Sequence, residues 1–186
     1  MRILVALLAL ATPALADSHG VALEGQLFDV HGGQVVAFGP TAIATVGTGR
    51  LQLLAEGGLG MLGATHPSDR LGYYGTARVG GRLLVASLGP KYAEGMDVQL
   101  LLDAGVGGER YWLDRAPGVN RPYVFFGWGT HLAGAHHAVV FDLRLAASPP
   151  IDDPTAMRAL CRGTCPSTTA QPVDLSIDFV IGVVAW

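Results

Sequence analysis

The sequence has few charged side chains and no internal apolar run that would cross a membrane as a helix. Charged residues make up 15% of the 186 residues, against about 25% in ordinary soluble domains. Lys91 is the single lysine. Beyond the N-terminus, no stretch approaches the ~20 apolar residues that a membrane-spanning helix requires. A closed barrel reconciles these facts, because only helices and closed barrels satisfy every backbone polar group in lipid.

The first 16 residues have the layout of a secretory signal peptide. Arg2 supplies the positive start, residues 3–11 form an apolar run, and Pro13 precedes the small-residue stretch at 14–16. This run is too short to anchor the chain as a membrane-spanning helix. We therefore expect cleavage before Asp17, export from the cytoplasm and a single mature domain over residues 17–186.

The charge balance and the cysteines narrow the possible partners. The formal net charge is −3 and no basic cluster accompanies it, so we expect no nucleic-acid partner. Cys161 and Cys165 lie in a polar segment of an exported chain, where a disulfide persists. A short helix from about Thr155, ended by Gly163, would bring the two thiols close enough to bridge. We predict a structural disulfide there, worth about 2 kcal/mol.

Turn-forming residues divide the chain into eight segments that are typical of strands. Most have ten or more residues, which fits the ~9–11 needed to cross a bilayer at a tilt. Strands of soluble sandwiches are more often about five or six residues long. Short connections at 47–49, 89–95 and 133–135 fall on one side, and the long segment 148–172 falls on the other. The predicted strands are 21–30, 34–46, 50–63, 71–88, 97–111, 121–132, 136–147 and 173–186.

Side chains alternate in polarity along these segments, as strands with two different faces require. Val139, Phe141 and Leu143 alternate with Asp142 and Arg144. A soluble sandwich also alternates, but here the polar face carries many glycines, which suit a narrow lumen better than a solvent-exposed surface. We therefore predict that Asp142 and Arg144 point into a membrane-spanning barrel. The glycines on this face are Gly58, Gly60, Gly80, Gly105, Gly107, Gly127 and Gly129.

With this pattern the chain resembles the small eight-stranded outer-membrane barrels of double-membraned bacteria, among them the opacity-type and attachment/invasion-type surface barrels. The resemblance covers residues 17–186 and is architectural, with no sharp residue motif. It implies an all-β, eight-stranded antiparallel up-and-down transmembrane β-barrel, surrounded by outer-membrane lipid, with short periplasmic turns. It also implies that the barrel-assembly machinery reads the aromatic C-terminal residue, Trp186.

Two positions depart from the simple pattern. Strict alternation places Val184 and Trp186 inward, in phase with Asp174, whereas the family pattern places the terminal aromatic on the lipid side. A bulge near Gly182 would turn Trp186 outward. Pro40 removes a ladder donor inside the second predicted strand, so a later start is the alternative for that strand.

The charged residues of the inward face are predicted to pair with one another. Eight strands enclose little more than their own side chains, and unpaired charges there are costly. We therefore expect a lumen plugged by an ion-pair network. A narrow pore or a carrier for a small solute is the alternative, favoured by the inward glycines. The predicted network consists of Glu24, Glu56, Arg78, Arg82, Asp97, Asp103, Asp142 and Arg144.

Two patterns of histidines give weak indications of a metal site and of a hydrolase site. His131 and His136 flank a short turn, but no third inward ligand for a metal is evident at that level. His66 and Ser68 have the His-x-Ser spacing of some outer-membrane lipid A deacylases. Pro67 separates them in a segment that looks like a turn, and a serine nucleophile needs a base held within hydrogen-bond reach.

The sequence therefore predicts a monomeric, non-enzymatic outer-membrane barrel without a cofactor or a metal. Its expected role is structural or in surface interaction, and 148–172 is the expected contact region for an extracellular or envelope partner. The second hypothesis is a narrow pore or carrier, and the third is a lipid-acting hydrolase.

Overall fold

The computed structural model describes residues 17–30, 33–47, 49–64, 70–89, 95–114, 116–160 and 173–186. Eight strands and one short helix, α1, lie in these ranges, and no helix among them combines the length and apolar character needed to span a membrane. The elements are β1 Ser18–Val30, β2 Gly33–Val46, β3 Leu51–Ala64, β4 Arg70–Leu88, β5 Asp97–Leu113, β6 Val119–Ala133, β7 His137–Ser148, α1 Pro154–Leu160 and β8 Asp174–Ala185.

Each strand pairs antiparallel with the next one, and β8 pairs with β1 to close the barrel. Leu23 of β1 lies opposite Ile181 of β8 in this closing pair. We call the end at which β1 starts and β8 finishes the terminal end, and the opposite end the loop end. β7 ends and β8 begins at the loop end. The predicted eight-stranded up-and-down barrel is confirmed, and the strand limits differ from the predicted ones by a few residues.

The polar face of the strands points inward, as predicted. Asp142 and Arg144 are only 4% and 0% exposed, whereas the alternating Phe141 and Leu145 are 43% and 49% exposed. The same division holds on the other strands. The barrel therefore presents its apolar side chains outward, which is the arrangement that a lipid environment favours. Exposed apolar residues on this outer surface include Leu51, Leu53, Leu59, Met61, Val79, Val106, Val124, Phe126, Leu175, Phe179 and Ile181.

Pro40 does not delay β2, which begins at Gly33. Pro40 lies opposite Leu23 of β1, and its side chain is exposed on the outer surface. On the other side, Phe38 and Thr41 are paired with residues of β3, but the two residues between them are not. The proline thus interrupts one ladder without ending the strand, because the ladder to β1 continues through it.

The bulge considered near Gly182 is absent. β8 keeps a single register against both neighbours from the first to the last of its paired residues, so Val184 faces inward and is 4% exposed. Trp186 lies beyond the end of β8 and is 50% exposed. Its indole N–H donates to the carbonyl of Ala135 at 3.1 Å, so the residue leaves the strand alternation and rests on the β6–β7 turn.

Candidate functional site: the barrel interior

Two forked ion pairs form the centre of the barrel interior. Arg144 donates from Nη1 to Glu56 Oε2 at 2.6 Å and from Nη2 to Oε1 at 2.7 Å. Arg82 donates from Nε and Nη2 to the two oxygens of Asp103, both at 2.8 Å. Two parallel bonds to one carboxylate give the strongest geometry that an arginine makes. Each fork joins two different strands of the barrel.

Further contacts link these forks into one cluster, which we call the central network. Asp142 Oδ2 accepts from Arg82 at 2.8 Å and from Arg144 at 3.0 Å. Arg78 pairs with Glu24, with Glu56 at 3.1 Å and with Asp178 at 3.2 Å. Because its members come from β1, β3, β4, β5, β7 and β8, the network connects opposite walls across the lumen. Its members are Glu24, Glu56, Arg78, Arg82, Asp103, Asp142, Arg144 and Asp178.

Asp97, which the sequence placed in this network, lies elsewhere. It is the first residue of β5, at the terminal end, and its Oδ2 accepts hydrogen bonds from Ser87 at 2.7 Å and from Gln99 at 3.1 Å. Water reaches this rim, so neutral donors are sufficient for its carboxylate. Asp178 takes part instead. The alternation along β8 already predicted that Asp178 faces inward. Its partner Arg78 is 100 positions away in the chain, so only closure of the barrel brings the two residues together.

A second polar cluster lies nearer the loop end, and sequence reasoning missed it. Arg121 is its only cation, and it donates to Tyr111 Oη at 2.9 Å and to Asp174 at 3.1 Å. Glu109 accepts hydrogen bonds from Tyr111 and from Gln26. The inward parity of these residues was visible in the sequence, but it carried no information about which strands would bring them together.

At several inward glycines, a neighbouring large side chain lies in the space that a Cβ atom would take. A Cβ atom at Gly127 would lie 2.5 Å from Arg144 Cγ, and one at Gly105 would lie 2.9 Å from Phe125 Cε1. The Tyr123 ring lies in the same way across Gly107. Glycine therefore lets long side chains cross the lumen. In the pore hypothesis, the same glycines were expected to leave the lumen open.

Apolar side chains fill the loop end, where α1 folds back into the barrel. Ile151, Ala156 and Leu160 are 4%, 0% and 2% exposed, and they pack in one cluster with inward residues that include Phe28 and Tyr111. Asp153 Oδ1 starts the helix by accepting from the backbone N–H of residues 155 and 156, at 2.8 and 3.2 Å. The first half of the connection 148–172 is therefore a cap on the barrel rather than a free loop.

A second apolar cluster lines the other part of the interior, toward the terminal end. It includes Ile43, Leu54, Val140, Val180 and Val184, all of which are nearly inaccessible to solvent. Members of this cluster also lie beside the central network, since Val180 is paired with Glu24 on one side and with Asp142 on the other. Buried polar and apolar side chains therefore occupy the interior together, which favours a rigid, filled lumen.

The remaining predicted site residues fall in different places. His131 is buried with Nε2 3.3 Å from Asp142 Oδ1, whereas His136 is exposed, so the two histidines are not neighbours in one inward site. Within the described ranges no group of three or more potential ligands could hold a metal ion. The predicted disulfide at Cys161 and Cys165, the His66 and Ser68 pair and the signal peptide at 1–16 lie outside the described residues.

Comparison with known proteins gives a fold but no sequence family. No family model and no curated protein matches this chain. Among solved structures, the N-terminal β-barrel domain of Pseudomonas aeruginosa OprF is similar, with 8% identity, a TM-score of 0.50 and coverage of 91% of this chain and 98% of that one. Neisserial surface protein A is similar with 10% identity, a TM-score of 0.56 and coverage of 90% and 95%. The chain therefore has the fold of small eight-stranded outer-membrane barrels.

Proposed function

We propose that this chain is a non-enzymatic protein of the bacterial outer membrane, whose barrel serves as a sealed structural support for the surface that it presents outside the cell. The observation that carries the proposal is the closed interior. Three buried arginines join opposite walls through five carboxylates, and two buried apolar clusters pack around and above them. A barrel of eight strands has little free bore to begin with.

The energetics of the central network support a structural role. Moving charges out of water is costly unless each finds a partner in good geometry. Glu56 and Asp103 both accept forked bonds from arginines, and Asp142 bridges two of them. Carboxylates engaged in this way are poor candidates for a catalytic acid or base, which must exchange protons with a substrate.

Single-channel recording in planar bilayers tests the sealed lumen. We expect no steady conductance from the wild-type barrel. Combining Arg78→Ala with Arg82→Ala leaves Glu24 and Asp103 without their main partners, so water should enter to solvate them and a small leak should appear. Arg158→Ala, on the exposed side of α1, is the control and should stay silent. Robust ion-selective channels in the wild type that fall when Arg78 and Arg82 are removed would make the protein a pore.

The contact region of this proposed function is the connection 148–172. Its described half buries Ile151 and Leu160 and leaves Asp152, Thr155 and Arg158 exposed at the loop end. A cap fixed by apolar packing holds such polar side chains in a defined arrangement, which favours recognition by an extracellular or envelope partner.

Thiol labelling of intact cells tests whether this surface lies outside. In a background lacking both native cysteines, Asp152→Cys should react with a membrane-impermeant maleimide. His136→Cys, exposed at the terminal end, should react only after the outer membrane is permeabilised. The reverse pattern would place the cap in the periplasm and remove it as a surface for partners outside the cell.

A further inference from the structure

An apolar groove of about 380 Å³ lies on the wall of the barrel near the loop end, on β3, β4 and β5. The outward side chains around it are Leu59, Met61, Tyr73 and Trp112. Aromatic residues at this level belong to the boundary between lipid tails and headgroups. The groove is therefore at the depth where the upper part of an acyl chain lies.

Beside the groove, a glycine lets two of its lining side chains pack close to the wall. Gly75 is paired with Leu59 on one side and with Arg110 on the other. The Trp112 ring and Leu59 Cδ2 both lie 3.0 Å from the place where a Cβ atom of Gly75 would stand. The next row toward the middle of the barrel pairs Gly57, Ala77 and Gly108. No side chain there is larger than a methyl group, so the wall next to the groove carries no bulky residue.

A cation lies at the edge of the groove. Arg110 follows the outward parity of β5, and its Nη1 donates to Asn120 Oδ1 at 2.8 Å. Its guanidinium lies 5.7 Å from the centre of the Trp112 ring. In the part of the chain that the structure describes, no carboxylate is within ion-pair distance of Arg110, and the four other arginines of the spanning strands with described side chains pair inside the lumen. A positive charge thus faces the lipid boundary directly beside an apolar groove.

We propose that Arg110 and this groove form a binding site for an anionic lipid of the outer leaflet, one whose headgroup phosphate is not balanced by a cation of its own. The guanidinium binds the phosphate of the headgroup, because its fork of donors matches that group. One acyl chain lies in the groove against Leu59, Met61 and Trp112. The site depends on the barrel lying in a membrane with its loop end outward, and it does not depend on whether the lumen conducts.

Quenching of Trp112 fluorescence by brominated lipid tests the site. A variant with Trp128→Phe and Trp186→Phe, refolded into phosphatidylcholine vesicles, leaves Trp112 as the only tryptophan. The quenchers are phosphatidylglycerol and phosphatidylcholine, each brominated near the headgroup end of its chains. Phosphatidylglycerol should be enriched about fivefold over phosphatidylcholine at Trp112, because one basic residue gives a preference of about this size for anionic lipid. Arg110→Gln should remove the enrichment and Arg110→Lys should retain part of it.

The matched control keeps Trp128 as the only tryptophan. It faces outward on β6, opposite Leu102 and away from the groove, and should be quenched equally by both lipids. Equal quenching of Trp112 by the two lipids, or enrichment that survives Arg110→Gln, would overturn the site. Because tryptophan variants can fail to refold, native mass spectrometry of the wild-type barrel gives a second measurement. Retained phosphatidylglycerol that Arg110→Gln abolishes supports the site, and equal retention of both lipids refutes it.

Discussion

Arg144 shows how a full charge is held inside this barrel. Its side chain is completely buried, and its two terminal nitrogens contact Glu56, Asp103 and Asp142. The stem of the same residue occupies the space above Gly127. One residue therefore neutralises carboxylates from two other strands and fills the lumen, so its removal has an electrostatic and a packing consequence.

We predict that Arg144→Ala lowers the free energy of unfolding by about 3–5 kcal/mol, because it leaves buried carboxylates without their partner. Urea titration in detergent, followed by the gel shift of unboiled samples, measures the change. Arg144→Met should lower the free energy of unfolding less in a Glu56→Leu background than in the wild type. In that background the Glu56 carboxylate, which would otherwise lose its partner, is absent. Equal costs in the two backgrounds would mean that the Arg144–Glu56 pair contributes no coupling.

Two glycines allow a matched test of interior packing. Gly127→Ala places a methyl group against Arg144 and should cost about 1–3 kcal/mol, the usual range for overpacking. Gly81→Ala, at an outward position with nothing within 4 Å, should leave the urea midpoint almost unchanged. If both variants unfold at the wild-type midpoint, the inward glycines are not required for filling the lumen.

At the scale of the element, each strand divides its side chains between the outer surface and the lumen. On β6, Val124 is 57% exposed, while its neighbours Tyr123 and Phe125 are 5% and 4% exposed. The interruption at Pro40 and the register shift near Leu84 in β4 leave this division intact. The elements are therefore defined by a two-residue period that tolerates local irregularities in the ladder.

We predict that Val124→Arg lowers the free energy of unfolding in lipid by about 2–4 kcal/mol, the cost of a cation on the lipid face near the midplane. His137→Arg, at the exposed start of β7, should cost about 0–1 kcal/mol because the headgroups solvate its charge. Refolding into vesicles at increasing urea measures both. Equal tolerance of the two substitutions would show that β6 does not face lipid.

At the scale of the whole molecule, closure of the sheet determines the interior. The pair of β1 with β8 leaves no free sheet edge, and it brings Glu24 and Asp178 to the same side of Arg78. The cap formed by α1 closes the loop end. A barrel arranged in this way satisfies its backbone within the sheet and pairs each of the arginines of the central network with carboxylates inside the lumen.

We predict that the exported chain fractionates with outer membranes and that unboiled samples migrate differently from boiled ones in gel electrophoresis. The closed sheet of eight paired strands should resist detergent until it is heated. Membrane fractionation of the producing cells and paired gel lanes provide the measurement. Recovery as a soluble periplasmic monomer without detergent would exclude the barrel as a membrane protein.

The sequence alone determined the number of strands, their approximate limits and which face of each points inward. These properties follow from a two-residue alternation and from turn residues, both of which are local. The inward positions of Asp142 and Arg144 were predictable for this reason. The signal peptide, the disulfide between Cys161 and Cys165, and recognition of Trp186 by the assembly machinery stay predictions.

Only the tertiary structure decided which residues meet. Arg78 finds Asp178 across the lumen, Asp97 stays at the rim, and Arg144 lies over Gly127. The packing of α1 into the loop end could not be predicted from the sequence either. Its few apolar side chains are buried only against residues that several different strands bring together. Parity along a strand specifies a direction for each side chain, whereas a contact also requires the register of every intervening strand and closure of the sheet.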